Sequence, residues 1–198
     1  MSEFQKRQSV YLFRHGETEW SKIGKHTSNT DLPLTPYGVE QAVSLAAEFK
    51  NMNFEKVFCS PLFRARKTCE IMGLLDAAEI DNDLKEWNYG DYEGIETSEI
   101  RKSVQGWSIF THSCPNGESI ADVQVRVDRM IQKIRMIDGD VALFSSAHLF
   151  RVLAARWVGL PAEGGKYFLL NTGTFSILDY ERENPVIKVW NNGRNVQY

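Results

Sequence analysis

The sequence predicts an α/β fold: a mainly parallel central sheet with helices on both faces and a small irregular cap around residues 88–117. Two observations carry this. Short apolar segments of strand length alternate with longer segments of helical periodicity, the pattern of parallel strands joined through helices. The composition is that of a globular chain, with 198 residues, 42% hydrophobic and 25% charged, and it fits one domain spanning residues 1–198. A chain of this length buries roughly 70% of its unfolded surface without needing disulfides or metal. Five Trp, seven Tyr and eleven Phe rule out a globally solvated chain.

Residues 9–14 (SVYLFR) read as a first buried strand. Thr35-Pro36 marks a helix start, with Thr at the N-cap and Pro at the first helical position. Val39, Ala42, Val43, Ala46 and Ala47 are its expected apolar stripe. Residues 56–60 (KVFCS) form a second strand, and Ser60-Pro61 repeats the cap-then-proline signal for a helix running toward Met72. Residues 73–117 are least regular, with a strand expected near residues 83–87 and a Gly/Tyr-rich loop at 88–94. Ser119 and Asp122 make a capping box. Behind it, Ile120, Val123, Val127, Met130, Ile131, Ile134 and Ile137 share one helical face. Residues 141–144 (VALF) are a third core strand. A helix over residues 148–158 is stopped by Gly159 and Pro161. Residues 174–180 and 186–190 pair as a closing hairpin.

Several function classes fall away. The net charge is −3, from 23 basic and 26 acidic residues, so a broad nucleic-acid surface is not expected. No apolar run approaches the roughly 20 residues of a membrane helix, and residues 1–8 are polar, without a signal-peptide core. Cys59, Cys69 and Cys114 match no CxxC pattern and read as free thiols in a reducing cytoplasm. There is no phosphate-binding GxxxxGK[ST] loop, no GxGxxG fingerprint and no HxH or HExxH metal pattern. A cysteine phosphatase needs Cys-x5-Arg, and Cys59 to Arg64 has one residue too few. Trp107, Phe110 and Trp190 read as packing residues, with Trp107 or Phe110 alternatively lining a substrate cap.

The chemistry concentrates at strand ends. Arg14-His15-Gly16-Glu17-Thr18 falls where the first strand stops, the position at which open α/β sheets bind ligands. A fixed imidazole can act as a nucleophile, and an adjacent arginine can hold a phosphoryl group by charge-assisted hydrogen bonds. Gly16 permits close backbone approach or an unusual φ. Arg64 follows the second strand in the first turn of a helix, where anions are favoured. Arg66 and Lys67 read as a solvated face. Glu86, beside Trp87, can serve as a general acid.

Taken in order, RHGETEW, TDLPLT, SPLFRAR, LKEWNYGDYEG and PNGES resemble the histidine phosphatase superfamily, in its phosphoglycerate-mutase-like branch. The likeness runs from about residue 10 to 160. LKEWNYGDYEG and CPNGES look closer to small acid or sugar phosphatases of the sedoheptulose-bisphosphatase type than to mutases. The resemblance implies that His15 becomes phosphohistidine, that Arg14 and Arg64 bind the phosphoryl group, and that Glu86 protonates the leaving oxygen. It places substrate contacts at Ser21, Thr27, Ser28 and Tyr89, with no cofactor and no metal. The partner it implies is a small, sugar-type phosphorylated metabolite or inorganic phosphate in the cytoplasm, and it leaves a homodimer open. Mutases carry glycine at the position of Ser28 and asparagine at that of Ser21. They also shield phosphohistidine with longer loops than residues 95–116 supply, which favours hydrolysis over mutase chemistry.

One departure stands out. The family pattern His-Gly-x-x-x-Arg follows the third core strand, whereas this chain reads Ser145-Ser146-Ala147-His148-Leu149-Phe150-Arg151. Aligned on Arg151, Ser146 stands where the second phosphate-binding histidine is expected. Serine donates one hydrogen bond and carries no charge. His148 either substitutes for it or only caps its helix. If it only caps the helix, the chain is a weakened, phosphate-binding homologue.

Overall fold

The computed structural model describes residues 8–193; the polar start up to residue 7 and the last five residues lie outside that range. Six strands form one sheet in the order β3-β2-β4-β1-β5-β6. The strands are β1 (Val10–Arg14), β2 (Lys56–Cys59), β3 (Ala78–Ile80), β4 (Val141–Ser145), β5 (Phe175–Glu181) and β6 (Asn184–Asn192). β3, β2, β4 and β1 run parallel, and β5 and β6 add an antiparallel hairpin. The expected mainly parallel sheet and closing hairpin are therefore present.

The helices are α1 (Glu19–Lys22), α2 (Pro36–Glu48), α3 (Phe63–Ile71), α4 (Thr97–Ser103), α5 (Ile120–Arg135) and α6 (Ala147–Trp157). Because strand side chains alternate between faces, β1, β2, β4 and β5 each feed two cores. Val10, Leu12, Val141, Leu143 and Leu178 pack with Val127, Met130 and Ile134 of α5 and Leu153 of α6. Phe13, Ala142, Phe144 and Phe175 pack with Leu45 of α2 and with Ala65 and Cys69 of α3. All five residues of β4 are buried, as expected for a strand covered on both faces.

The predicted starts of α2 and α5 hold. Thr35 Oγ1 accepts from Gly38 N at 3.0 Å with Pro36 behind it, and Ser119 and Asp122 close a reciprocal capping box. Other expectations need correction. The inward face of α2 is Gly38, Gln41, Ala42 and Leu45, while Val39 and Val43 are exposed. Gln41 is drawn inward because its amide accepts from Glu17 N at 2.8 Å and donates to Thr172 O at 3.1 Å. Ser60-Pro61 makes a turn, not a helix start. Ser60 Oγ accepts from Leu62 N, and α3 begins at Phe63. Residues 83–87 are not a strand: a 3-10 turn, Asn82–Leu84, leads into extended backbone. That segment is held by Arg126, whose guanidinium donates to the carbonyls of Asp83 and Lys85 rather than to a neighbouring strand. The three cysteines are free and buried, and no helix of the described residues is long and apolar enough to cross a membrane.

Candidate active site

The carboxyl ends of β1 and β4 lie side by side, with Arg14 in register with Ser145. The link from β1 to β2 passes over one face, through α2, and that from β4 to β5 over the other, through α6. This divergence opens a crevice at the strand ends. A cavity of about 200 Å³ occupies it, lined in part by Arg14, His15, His26, Glu86, Tyr89 and His148.

His15 is fixed by its backbone: its N–H donates to Ser145 O at 3.1 Å, and its carbonyl accepts from Gly173 N at 2.9 Å. The ring Nδ1 lies 2.8 Å from Gly16 O. A carbonyl can only accept, so Nδ1 carries the proton and the Nε2 lone pair is left available. Burial, reinforced by the charges of Arg64 and Arg14, holds the imidazole well below its ordinary pKa. Gly16 is needed for close approach: a Cβ there would overlap the Gly38 carbonyl at the start of α2.

Arg14 donates to Leu170 O. Burial lowers its pKa to about 10, against the opposing pull of Glu86, so it stays charged at neutral pH. Arg64 is fully buried and is a correction to the simplest expectation. It lies behind the cavity rather than on its wall, donating to the carbonyls of Thr27, Ser28 and Thr30 at 3.0–3.3 Å. Its Nε, like that of Arg14, is buried without a partner.

Glu86 is 5% exposed and seals the start of α6. Oε2 accepts from His148 N at 3.0 Å, and Oε1 accepts from Leu149 N and Trp87 N, both at 2.9 Å. The amides of His148 and Leu149 belong to the first turn of α6, which the helix itself leaves unpaired. Ser146, the N-cap residue, makes no side-chain cap bond, so Glu86 provides the cap from another segment. Glu86 is itself placed by a partly buried ion pair. Arg126 holds Glu118 through two contacts of 2.8 and 3.0 Å, and Glu118 accepts from Asn88 N at 2.8 Å.

His148 lies on the cavity wall with Nδ1 2.6 Å from the Tyr89 hydroxyl. Burial, then Arg151, His26 and Arg14, keep its ring well below the ordinary pKa. Burial and Glu86 push the Tyr89 phenol well above 10. His26 stacks nearly parallel to His148 at 6.1 Å, with its own Nδ1 2.7 Å from Ile95 O.

The remaining expected residues divide. Thr27 is on the wall. Ser21 is too, but its hydroxyl is engaged in the capping box of α1, donating to Thr18 O and accepting from Thr18 N. Ser28 does not reach the cavity; its hydroxyl is buried 3.4 Å from Glu86 O. Ser146 is also buried and off the wall. Phe110 and Trp107 are buried cap residues that pack against His148 and His26 respectively. Arg151, His26 and Lys25 line the cavity without having been singled out as site residues. Local signals pointed to two of them: His26 is one of only four histidines, and Arg151 is one helical turn from His148.

A mixed α/β sheet carrying an Arg-His pair at the end of its central strand defines a class: the chain belongs to the histidine phosphatase superfamily, branch 1, whose model matches residues 10–193. Its relatives include an acid phosphatase of Mycobacterium tuberculosis, 38% identical over 176 residues, covering 87% of this chain and 86% of the relative. The sedoheptulose 1,7-bisphosphatase of Saccharomyces cerevisiae is 38% identical over 184 residues, covering 77% and 68%. The solved structure of an open reading frame product of Mycobacterium tuberculosis superposes with a TM-score of 0.90 at 34% identity, covering 94% and 98%.

Proposed function

We propose that this chain is a phosphomonoesterase that hydrolyses a small, sugar-type phosphate through a phosphohistidine at His15. The observation that carries the reading is the state of that ring: neutral, with Nδ1–H on Gly16 O and Nε2 free, beside two arginines. The Nε2 lone pair attacks phosphorus and the bond to the ester oxygen breaks. Glu86 gives that oxygen a proton. The phosphorylated ring is cationic, and the Gly16 carbonyl is already placed against its Nδ1–H. Water then attacks phosphorus and gives a proton to Glu86, the P–N bond breaks and phosphate leaves. Arg14 at the wall and Arg64 behind it balance charge on the equatorial oxygens, the dominant requirement in phosphoryl transfer.

His148 supplies the contact that Ser146 does not. In this reading the Tyr89 hydroxyl donates a hydrogen bond to Nδ1 of a neutral imidazole. Nε2–H is then the ring's remaining donor. The second reading, a weakened phosphate-binding homologue, is favoured by one observation: Ser146 is buried off the cavity wall.

Incubation with a ³²P-labelled ester and an alkaline quench tests the proposal. One acid-labile label lost in His15→Ala is expected, together with release of inorganic phosphate. Label on another residue refutes the nucleophile; phosphate binding without release selects the second reading.

A further inference from the structure

We propose that the cavity holds a second anion subsite at Lys25, so that its substrate is a phosphate ester bearing a further negative group. This rests on the phosphatase reading of the same site. The chain as a whole is acidic, at −3, yet its cavity is cationic. Arg14, Lys25 and Arg151 line it, and Arg64 lies behind. The one carboxylate on the wall, Glu86, already accepts three backbone N–H groups. Arg14 and Arg64 act on His15, and Arg151 acts on Arg14 and His148, so these three cations serve the His15–His148 part of the cavity, where one phosphoryl group would sit. Lys25 also lines the cavity but is not among the charges that act on Arg14, His15 or His148.

Lys25 is held there without an acidic partner. Its N–H donates to Trp20 O at 3.0 Å, and its backbone bridges Glu96. Its ammonium lies 5.7 Å from the centroid of the Trp20 ring, a cation–π contact. That ring is itself seated on Gly94, where an added Cβ would come within 2.9 Å of it. The carboxylate of Glu96 meets the Ser98 hydroxyl instead, and no ion pair among the described residues engages Lys25. A half-buried lysine on the cavity wall, its ammonium positioned by an aromatic ring and without an acidic partner among the described residues, is suited to an anion brought in by the ligand.

The test compares wild type with Lys25→Gln and Lys25→Arg. kcat/KM is measured for 4-nitrophenyl phosphate, fructose 1,6-bisphosphate and 3-phosphoglycerate. The ratio of either two-anion ester to nitrophenyl phosphate should fall about tenfold in Lys25→Gln, mainly through KM, the scale of one charge-assisted hydrogen bond. Lys25→Arg should restore most of it. The bisphosphate and phosphoglycerate arms show whether the second group is phosphate or carboxylate. Calorimetric binding of fructose 1,6-bisphosphate and of inorganic phosphate to His15→Ala, with and without Lys25→Gln, needs no turnover. If no ester is hydrolysed but the preference for the bisphosphate still drops with Lys25→Gln, the phosphatase reading falls and the subsite stands. An unchanged ratio with unchanged binding preference overturns the subsite, as does an equal loss on all three esters.

Discussion

Replacing His148 by alanine should lower kcat by about 10²–10³, the worth of one positioned donor on transition-state charge. Tyr89→Phe should cost less. It leaves the imidazole in place but removes the 2.6 Å hydrogen bond that sets which ring nitrogen carries the proton. A hydrogen bond of this kind contributes about 1–1.5 kcal/mol, so a loss of about tenfold in kcat is expected. The two residues act through one imidazole, so their losses should not multiply. Tyr89→Phe added to His148→Ala should cost little beyond His148→Ala alone. Single-turnover rates on a sugar phosphate across the four proteins give the coupling, and thermal melts verify that each variant is folded. Fully multiplicative losses would show that the Tyr89 hydroxyl acts on substrate by itself. A His148→Ala enzyme with unchanged turnover would show that His148 is a packing residue and that the second contact lies elsewhere.

Stability should fall below about pH 6.5. Burial lowers the pKa values of His15, His26 and His148 in the native state, so the unfolded chain binds protons the folded one does not. The contribution is fully present above the unfolded value of about 6.5 and is lost as pH falls toward the folded values; Tm between pH 7.5 and 5 reads it, and a flat profile refutes it. Gly16→Ala should destabilise by about 1–3 kcal/mol in a urea titration, because the methyl meets the Gly38 backbone, which has little freedom to yield. Arg126→Met should destabilise by about 3 kcal/mol by leaving the half-buried Glu118 unpaired. It should also lower kcat, since Glu118 and Arg126 hold the backbone on both sides of Glu86; unchanged kcat would show that Glu86 is held without them.

Much of this fold is legible because local chemistry and tertiary packing agree. Thr35-Pro36 and Ser119 with Asp122 predict helix starts that the structure keeps, since capping depends only on residues a few positions apart. Residues 141–144 read as a core strand because a strand covered on both faces has no polar positions. Legibility ends where distant groups decide. Gln41 turns inward to bond Glu17 and Thr172, and takes the buried stripe of α2 with it. Ser60-Pro61 carries the same local signal as Thr35-Pro36, yet Ser60 is buried at a strand end and serves the turn. In the site, His15 and Arg14 could be placed from their strand end alone. The position of Arg64 behind the wall could not, because the three carbonyls that hold it come from residues 27–30.

The serine at position 146 has a consistent physical setting at the start of α6. A helix N-terminus needs acceptors for its first amides, and Ser146 supplies none from its side chain. Glu86 supplies them, so the residue proposed as acid and base also caps the helix that carries His148. This couples the two. Moving Glu86 uncaps the turn in which His148 sits, and moving His148 shifts the amide on Glu86 Oε2. Tyr89, three residues after Glu86, closes the loop by bonding the His148 ring. A histidine at 146 would enter a position that is 2% exposed and off the cavity wall, displacing packed atoms before it could reach a phosphate. Ser146→His is therefore expected to destabilise by about 1–3 kcal/mol and to leave turnover below wild type. A several-fold gain in kcat would show instead that β4 and α6 retain room for the imidazole, and that His148 has not taken its place.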